Sequence, residues 1–483
     1  MSKSRTSSDR PQAVGTGGRQ FQFISVQDPD DAEGGIKGRL VRSHAVAQGL
    51  ERKRRLQQAS GNNFIVTTSK SYRSRGLVSD LKTGSRRGRV PTPNLLSVQV
   101  SAGALDPFQS LAVDSSRLQA LLSNYKARQS PEPVFTLEQD FAFQNFRSVF
   151  LTGFLIDPAI LSAAMLSFAF AVTGGTIDQE CLGYQSQAIS HIRTKISSPS
   201  EATSESTIGA ILLLAGVEAR LGRTSQVQLH MGAVQHLLQA CKTERVYLTG
   251  GIKRAIFWQD LNSSILSGSQ RIADHTTFAE LQWTRDLFSP HYFRLPPGFE
   301  AMRPHLLTDS FVQVLQDIQA LQCIRDFSRS TDNDVMSMAR INNHIASIQS
   351  RLVALADPCP VLQSCHLAAY LCSVMLCCKV WCALVIPAHV SSQLLGKLQQ
   401  SANSLLWDHH PELLLWVSYI GGSFAPKGSL RSGYTAHVRS NNTTRFKGLN
   451  GSWPNVLETL EQFIWSEKAF TPAAGAFWEE TWT

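Results

Sequence analysis

No cysteine precedes Cys181, and five of the nine in the chain crowd between Cys365 and Cys382 on one apolar run. That pattern is not a disulfide framework, and reduced thiols of a cytosolic or nuclear protein fit it better. Aromatic residues are scarce at the start: the first hundred residues hold Phe21, Phe23, Phe64 and Tyr72, out of 24 Phe, 8 Tyr and 9 Trp. The opening stretch from Met1 to Arg10 is polar, with no apolar run behind it, which predicts no secretory signal. Long apolar runs are also interrupted. Val149–Val172 is broken by Asp157 and Pro158, and Val361–Ile386 carries Gln363, Ser364, His366, Ser373 and Lys379. A span needs about 20 predominantly apolar residues. Broken at Pro158, the first segment leaves too short a remainder, and Val361–Ile386 reads as a fully buried core helix of a large helical protein, so no membrane partner is expected.

The remaining composition is that of a folded protein. Of 483 residues, 43% are hydrophobic and 17% charged, enough for a large core. At about 150 residues per domain the length suggests two or three units, although one large helical domain also reaches this size. The net charge of +9 is unevenly placed. Residues 1–90 contain 18 Lys/Arg against 7 Asp/Glu, and residues 91–483 contain 28 against 30. A charged, aromatic-poor segment buries too little apolar surface to offset its ordering entropy. Residues 1–104 are predicted to be a mostly disordered basic region, and residues 105–483 the folded body.

The body reads as all-α. In Gln226–Cys241 the residues Val227, Met231, Val234, Leu237 and Leu238 fall on one helical face. Ser206–Leu221 precedes it, and Gly222-Arg-Thr-Ser between them offers Gly222 as a C-cap and Thr224 or Ser225 as an N-cap. An antiparallel pair is predicted. Further helices are predicted over Leu118–Lys126, Glu138–Leu151, Pro158–Val172, Ile252–Ser267, Thr308–Phe327, Val335–Ala356, Val361–Val385, Ser391–Trp407, Glu412–Tyr419 and Val456–Ser466. No Asn-Gly or Asp-Gly hairpin joins alternating strands, and no fixed-period repeat appears. The Pro/Gly/Ser-rich segments Phe288–Arg303 and Gly421–Ser452 read as loops.

Motifs for chemistry are missing. There is no G-x-S-x-G elbow, phosphate loop, H-E-x-x-H pair or post-strand G-x-G-x-x-G. Gly15-Thr-Gly-Gly reads as a flexible stretch, and Asp332-Asn-Asp334 as a solvated helix start. His409-His410-Pro-Glu412 has no accompanying ligand set. Cys372, Cys377, Cys378 and Cys382 on one helix point around different faces, whereas structural zinc takes paired cysteines from turns. They read as buried thiols acting as small hydrophobes. The glycosylation sequons at Asn262, Asn441, Asn442 and Asn450 have no consequence without export. No catalytic residue, metal or cofactor is expected.

Two basic clusters are the strongest functional signal from composition. Arg52, Lys53, Arg54 and Arg55 form the first, within Gly38–Gln58, and Arg86, Arg87 and Arg89 the second. Clusters of this kind serve nuclear import or contact with nucleic acid. Cations that neutralise phosphates release counterions, so binding of that type does not read sequence.

Phe21-Gln-Phe-Ile-Ser-Val, Asp28-Pro29, Val41-Arg-Ser-His-Ala and the Arg52–Arg55 cluster resemble the N-terminal signature of filamentous-fungal regulators. These are known as fungal-specific transcription factor domain proteins, sometimes labelled "tachykinin family". Leu213-Leu-Ala-Gly-Val-Glu-Ala-Arg220, His230-Met231, Ala255-Ile-Phe-Trp-Gln-Asp-Leu261, Arg271 and Trp283-x-Arg-Asp286 are similar to the family's helical regulatory domain. So are Phe463-Ile-Trp465, Phe470 and Ala476-Phe-Trp-Glu-Glu480. For Trp258, Trp283 and Trp478 core packing is the simplest role. Many members carry a six-cysteine binuclear zinc cluster near the N-terminus, which places a short helix in the major groove. With Cys181 the first cysteine, that reader is expected to be absent here.

The resemblance implies a nuclear transcriptional regulator, with the nuclear import machinery and transcription-related proteins as partners. DNA is a further partner through the basic region. A non-nuclear helical scaffold with a basic tail and an all-helical enzyme are the alternatives. Sequence leaves the oligomeric state open.

Overall fold

A computed structural model describes residues 113–128, 157–285, 290–327, 335–377, 385–449 and 451–482. Among the described residues the secondary structure is entirely helical, as the sequence predicts. The helices are α1 (Ser115–Ser123), α2 (Tyr125–Arg128), α3 (Pro158–Val172), α4 (Gln179–Ile196), α5 (Pro199–Ala202), α6 (Glu205–Arg220), α7 (Thr224–Glu244) and α8 (Gly250–Ser267). They continue with α9 (Pro297–Met302), α10 (Asp309–Phe327), α11 (Val335–Ala354), α12 (Pro360–Cys377) and α13 (Ile386–Gln400). The last are α14 (Leu405–His409), α15 (Pro411–Phe424), α16 (Ser429–Asn441), α17 (Trp453–Leu460) and α18 (Thr471–Trp482).

The first half is organised by α3. Pro158 opens it, where a missing N–H costs nothing, and the Asp157 carboxylate caps it by accepting from the Ala159 N–H at 3.0 Å. Every residue from Ala159 to Phe170 is buried, so α3 needs cover on all sides. It packs against α4 and α6, and α6 packs in turn on α7 and α8. Asp157 also takes the Lys195 ammonium at 2.6 Å and the Ser206 hydroxyl at 2.5 Å. Burial pushes its carboxyl up, but Lys195 and Ser206 outweigh that and hold it below the usual carboxylate range. One carboxylate thus joins the start of α3, the end of α4 and the start of α6.

The second half surrounds α15, which is buried from Leu413 to Ser423. The helices α12, α13, α16, α17 and α18 pack against it. Helix α8 belongs to both halves. Its Ile252, Ala255 and Ile256 lie in the first core, and Phe257, Trp258 and Leu261 lie in the second.

Several expectations are corrected. Helix α4 carries no helical prediction, because only Cys181, Ala188 and Ile192 of its 18 residues are buried and its apolar stripe is thin. In the α6–α7 turn Gly222 is left-handed, with φ of 69°, but the N-cap of α7 is Arg223. The Thr224 hydroxyl instead donates to the Ser267 carbonyl at the end of α8, at 2.6 Å. Gly421–Ser452 is not a loop. Gly421 and Gly422 continue α15, and Ser429–Asn441 is α16. Phe288–Arg303 likewise contains a 3₁₀ turn over Pro290–Phe293 and α9. Ser391–Trp407 is two helices, α13 and α14, separated at Ser401, whose hydroxyl donates to the Lys397 carbonyl and accepts from the Trp407 indole at 3.1 Å. Val361–Val385 is helical through Cys377, residues 378–384 lying outside the described residues, and Val456–Ser466 is helical only to Leu460. Glu138–Leu151 also lies outside the described residues.

Candidate functional site

Helix α8 ends at Ser267, and the chain then turns back beneath its own Asp260. Asp260 is 1% exposed. Its carboxylate accepts from the backbone N–H of Ile272 at 3.0 Å and of Ala273 at 3.2 Å, and from Arg271 Nε at 3.2 Å. Burial pushes the Asp260 carboxyl above its ordinary value, and those three donors recover part of the shift. Arg271 reaches on to α11, donating to the Ser350 hydroxyl at 2.9 Å, and it lies over the Phe257 ring. The His275 N–H donates to the same hydroxyl.

A second buried acid sits alongside. Asp317 of α10, also 1% exposed, accepts from Arg285 Nε at 2.8 Å and from Arg351 of α11. Arg285 donates further to the Gln313 carbonyl at 2.8 Å and packs over the Phe293 ring. Next to this pair the His344 ring stacks on Trp283, with centroids 3.9 Å apart and planes 5° from parallel. Burial first, and then the Arg351 and Arg285 charges, push the His344 imidazole down to about 3. His344 is therefore neutral at pH 7, as a buried ring under the charge of two guanidinium groups must be.

The arrangement braces the segments it joins. The Ser350 hydroxyl meets the Arg271 guanidinium and a backbone N–H, neither of which takes its proton. Each carboxylate is occupied by arginine and N–H donors. Among the described residues no three His, Cys, Asp or Glu side chains converge as a metal site, and none of the helices is long and apolar enough to cross a membrane. His409 and His410 lie at the end of α14, away from such a set. Cys365 and Cys372 are wholly buried in α12, where desolvation pushes both thiols up and keeps them protonated. Cys378 and Cys382 fall outside the described residues.

The body motifs singled out in the sequence come together here and in the core. Asp260 and Arg271 pair, while Trp258 is buried and Trp283 is stacked. Glu218 is buried and accepts from Gln185 at 2.7 Å. Phe463 packs on Phe299 and Trp416, and the Trp416 indole donates to the Ile464 carbonyl at 3.1 Å. Glu480 accepts from Arg431 at 2.6 Å. Asp317, which the motifs did not flag, had one signal: a lone acid inside the apolar helix Phe311-Val-Gln-Val-Leu-Gln-Asp-Ile318. Asp286, the basic clusters Arg52–Arg55 and Arg86–Arg89, and Asp332 and Asp334 lie outside the described residues.

No curated protein and no solved structure matches the chain. The family model for the fungal specific transcription factor domain matches residues 121–480, which spans both cores and the charge network between them. The chain belongs to the fungal specific transcription factor domain family.

Proposed function

We propose that the chain is a nuclear transcriptional regulator that acts through protein contacts of its helical body, with the basic first ninety residues serving import and weak contact with DNA. The observation that carries this reading is the family match over residues 121–480. The charge division supports the second half of it: the cationic excess sits in residues 1–90, ahead of the matched domain. No zinc-ordered helix is expected before Cys181, so base-edge discrimination has no rigid carrier, and phosphate contacts alone give affinity without specificity.

The test is localisation of a fluorescent fusion in fungal cells. Replacing Arg52, Lys53, Arg54 and Arg55 together by Ala should reduce nuclear accumulation; an unchanged nuclear signal removes the import role of that cluster. DNA titrations complete it. The full chain should bind unrelated duplexes alike and lose affinity steeply with salt. A tenfold preference for one duplex, about 1.4 kcal/mol, by a chain lacking residues 1–104 would make the helical body the reader.

A further inference from the structure

The last turns of α8 and α11, together with α12 and α13, leave an open cavity of about 780 Å³. Its floor is apolar: Ile265, Leu266, Leu352, Leu367, Tyr370 and Val390. Its rim is polar and comes from successive turns of α13, through Gln393, Lys397 and Gln400. The volume falls in the range of about 300–1,000 Å³ that holds drug-sized ligands, and the pattern of apolar walls with few polar groups is that of ligand sites.

The charges at the cavity have one sign. Lys397 is half-buried, its ammonium donates to the neutral Gln400 amide at 3.3 Å, and among the described residues no Asp or Glu lines the cavity. The two histidines in the wall are uncharged at pH 7. Burial pushes His366 down to about 4, and burial also lowers His389, which is hydrogen-bonded to the Ile265 backbone and Gln393. An anion entering this space therefore meets a cation and no carboxylate in the lining, although the Asp357 charge reaches His366.

Gly396 marks where the cavity can be blocked from the solvent side. A glycine inside a helix costs about 1 kcal/mol relative to alanine. Some helical glycines of this half answer to crowding, since a Cβ on Gly421 would run into Tyr434, on Gly422 into Phe477 and on Gly433 into Leu395, whereas on Gly475 it would meet only Trp453 at 3.8 Å. Gly396 lies inside α13, lines the cavity, and a Cβ there would meet no atom within 4 Å. Gly396 is exposed at the open side of the cavity, so a bulky side chain placed there enters free space beside the lining.

We propose that the cavity binds a small amphipathic organic acid, its flat apolar body lying on the floor beside Gly396 and its carboxylate or sulfonate at Lys397. The site does not rest on the nuclear role: its test reads binding to the purified chain, whereas localisation reads the basic clusters.

Two dyes that differ by one sulfonate provide the probe, 1-anilinonaphthalene-8-sulfonate and N-phenyl-1-naphthylamine, titrated by fluorescence into the full chain. Both should saturate at one site per chain, the sulfonate about tenfold tighter, as expected of a charge-assisted contact. Gly396→Trp should weaken both at least tenfold while leaving the thermal unfolding midpoint unchanged or raised. Lys397→Gln should abolish the advantage of the sulfonate and leave N-phenyl-1-naphthylamine unaffected; at a half-exposed position it carries the test even if the tryptophan variant fails to fold. Absence of saturable binding by either dye would overturn the site. So would a folded Gly396→Trp protein that binds both as the parent does. Equal affinity for the two dyes, or a sulfonate preference that survives Lys397→Gln, would overturn the acid.

Discussion

The interior shared by α3, α4, α6, α7 and α8 is filled by Ala159, Ala163, Ala210, Ala215 and Ala219 among Ile, Leu and Val, with Phe170 the one buried aromatic ring of this cluster among the described residues. Around α15 the interior holds Trp407, Trp416, Tyr419, Tyr434, Phe463 and Phe477. Small side chains let helix axes approach closely and leave little shape to interlock. Large rings fill wide gaps between helices and lock into edge-to-face arrangements: Phe299 against Trp416 at 5.3 Å, and Tyr419 against Phe477 at 5.4 Å. The first core is specified by backbone proximity and the second by ring geometry. The same kind of substitution should therefore have different consequences in the two.

The largest effect of any single substitution should come where the two meet. Helix α8 serves both cores, and its Asp260 is the anchor of the returning chain. Asp260→Ala strands the half-buried Arg271 and two backbone N–H groups. Losing one partner of a buried pair costs about 3–5 kcal/mol. Because α8 is shared, tryptophan fluorescence, which reports the aromatic core, and far-UV circular dichroism, which reports all helices, should shift to lower temperature together. A variant in which the fluorescence transition moves and the dichroism transition stays would show that the two cores fold independently.

Acid should distinguish the halves next. Burial pushes His344 down to about 3 and His366 and His437 to about 4, and all three lie in the aromatic half. Their folded values lie below the unfolded value, so their contribution to stability is present above about pH 6.5 and is lost as pH falls toward the folded values. At pH 5 each histidine kept neutral costs about 2 kcal/mol. Asp260 works with the opposite sign. Its raised value favours the folded state as pH falls toward the ordinary carboxylate value, and so it blunts part of the loss. The expected outcome is a urea midpoint that drops steadily from pH 7 to pH 5, by fluorescence and dichroism alike; a flat profile would contradict it.

What was legible in the sequence follows the same division. Pro158 after Asp157 marks the start of α3, and its apolar run marks the body, because both signals are local. The Gln179–Ile196 helix was not legible, since Ser186, Gln187 and Arg193 are exposed and the Asp178 cap on the Cys181 N–H is a hydrogen bond seen only in the fold. Gly421 and Gly422 read as chain breakers, yet they are helical because Tyr434 and Phe477, distant in sequence, occupy the space of their missing Cβ atoms. At the charge network the motif residues Asp260 and Arg271 were legible one by one. Their pairing was not, because it depends on how the chain folds back after Gly268, whose φ is 68°.

The smallest effect is also the sharpest comparison, because it applies one substitution in both cores. Gly209 lies in α6 of the alanine-rich core and Gly422 in α15 of the aromatic one. At Gly209 a new Cβ meets the terminal methyl of Ile160 at 2.9 Å, the free end of a side chain that can turn aside. At Gly422 it meets three atoms of the Phe477 ring between 2.4 and 2.8 Å. That ring is itself held between Tyr419 and the Arg431 guanidinium. Alanine improves helix propensity by about 1 kcal/mol at either position. Overpacking a rigid core costs about 1–3 kcal/mol. Gly209→Ala should therefore leave stability within about 0.5 kcal/mol of the parent or raise it. Gly422→Ala should lower it by up to about 2 kcal/mol net. Chemical denaturation of the two variants at pH 7 checks the pair. Equal losses would mean that the alanine-rich core is as tightly interlocked as the aromatic one, and the distinction drawn from their side chains would fail.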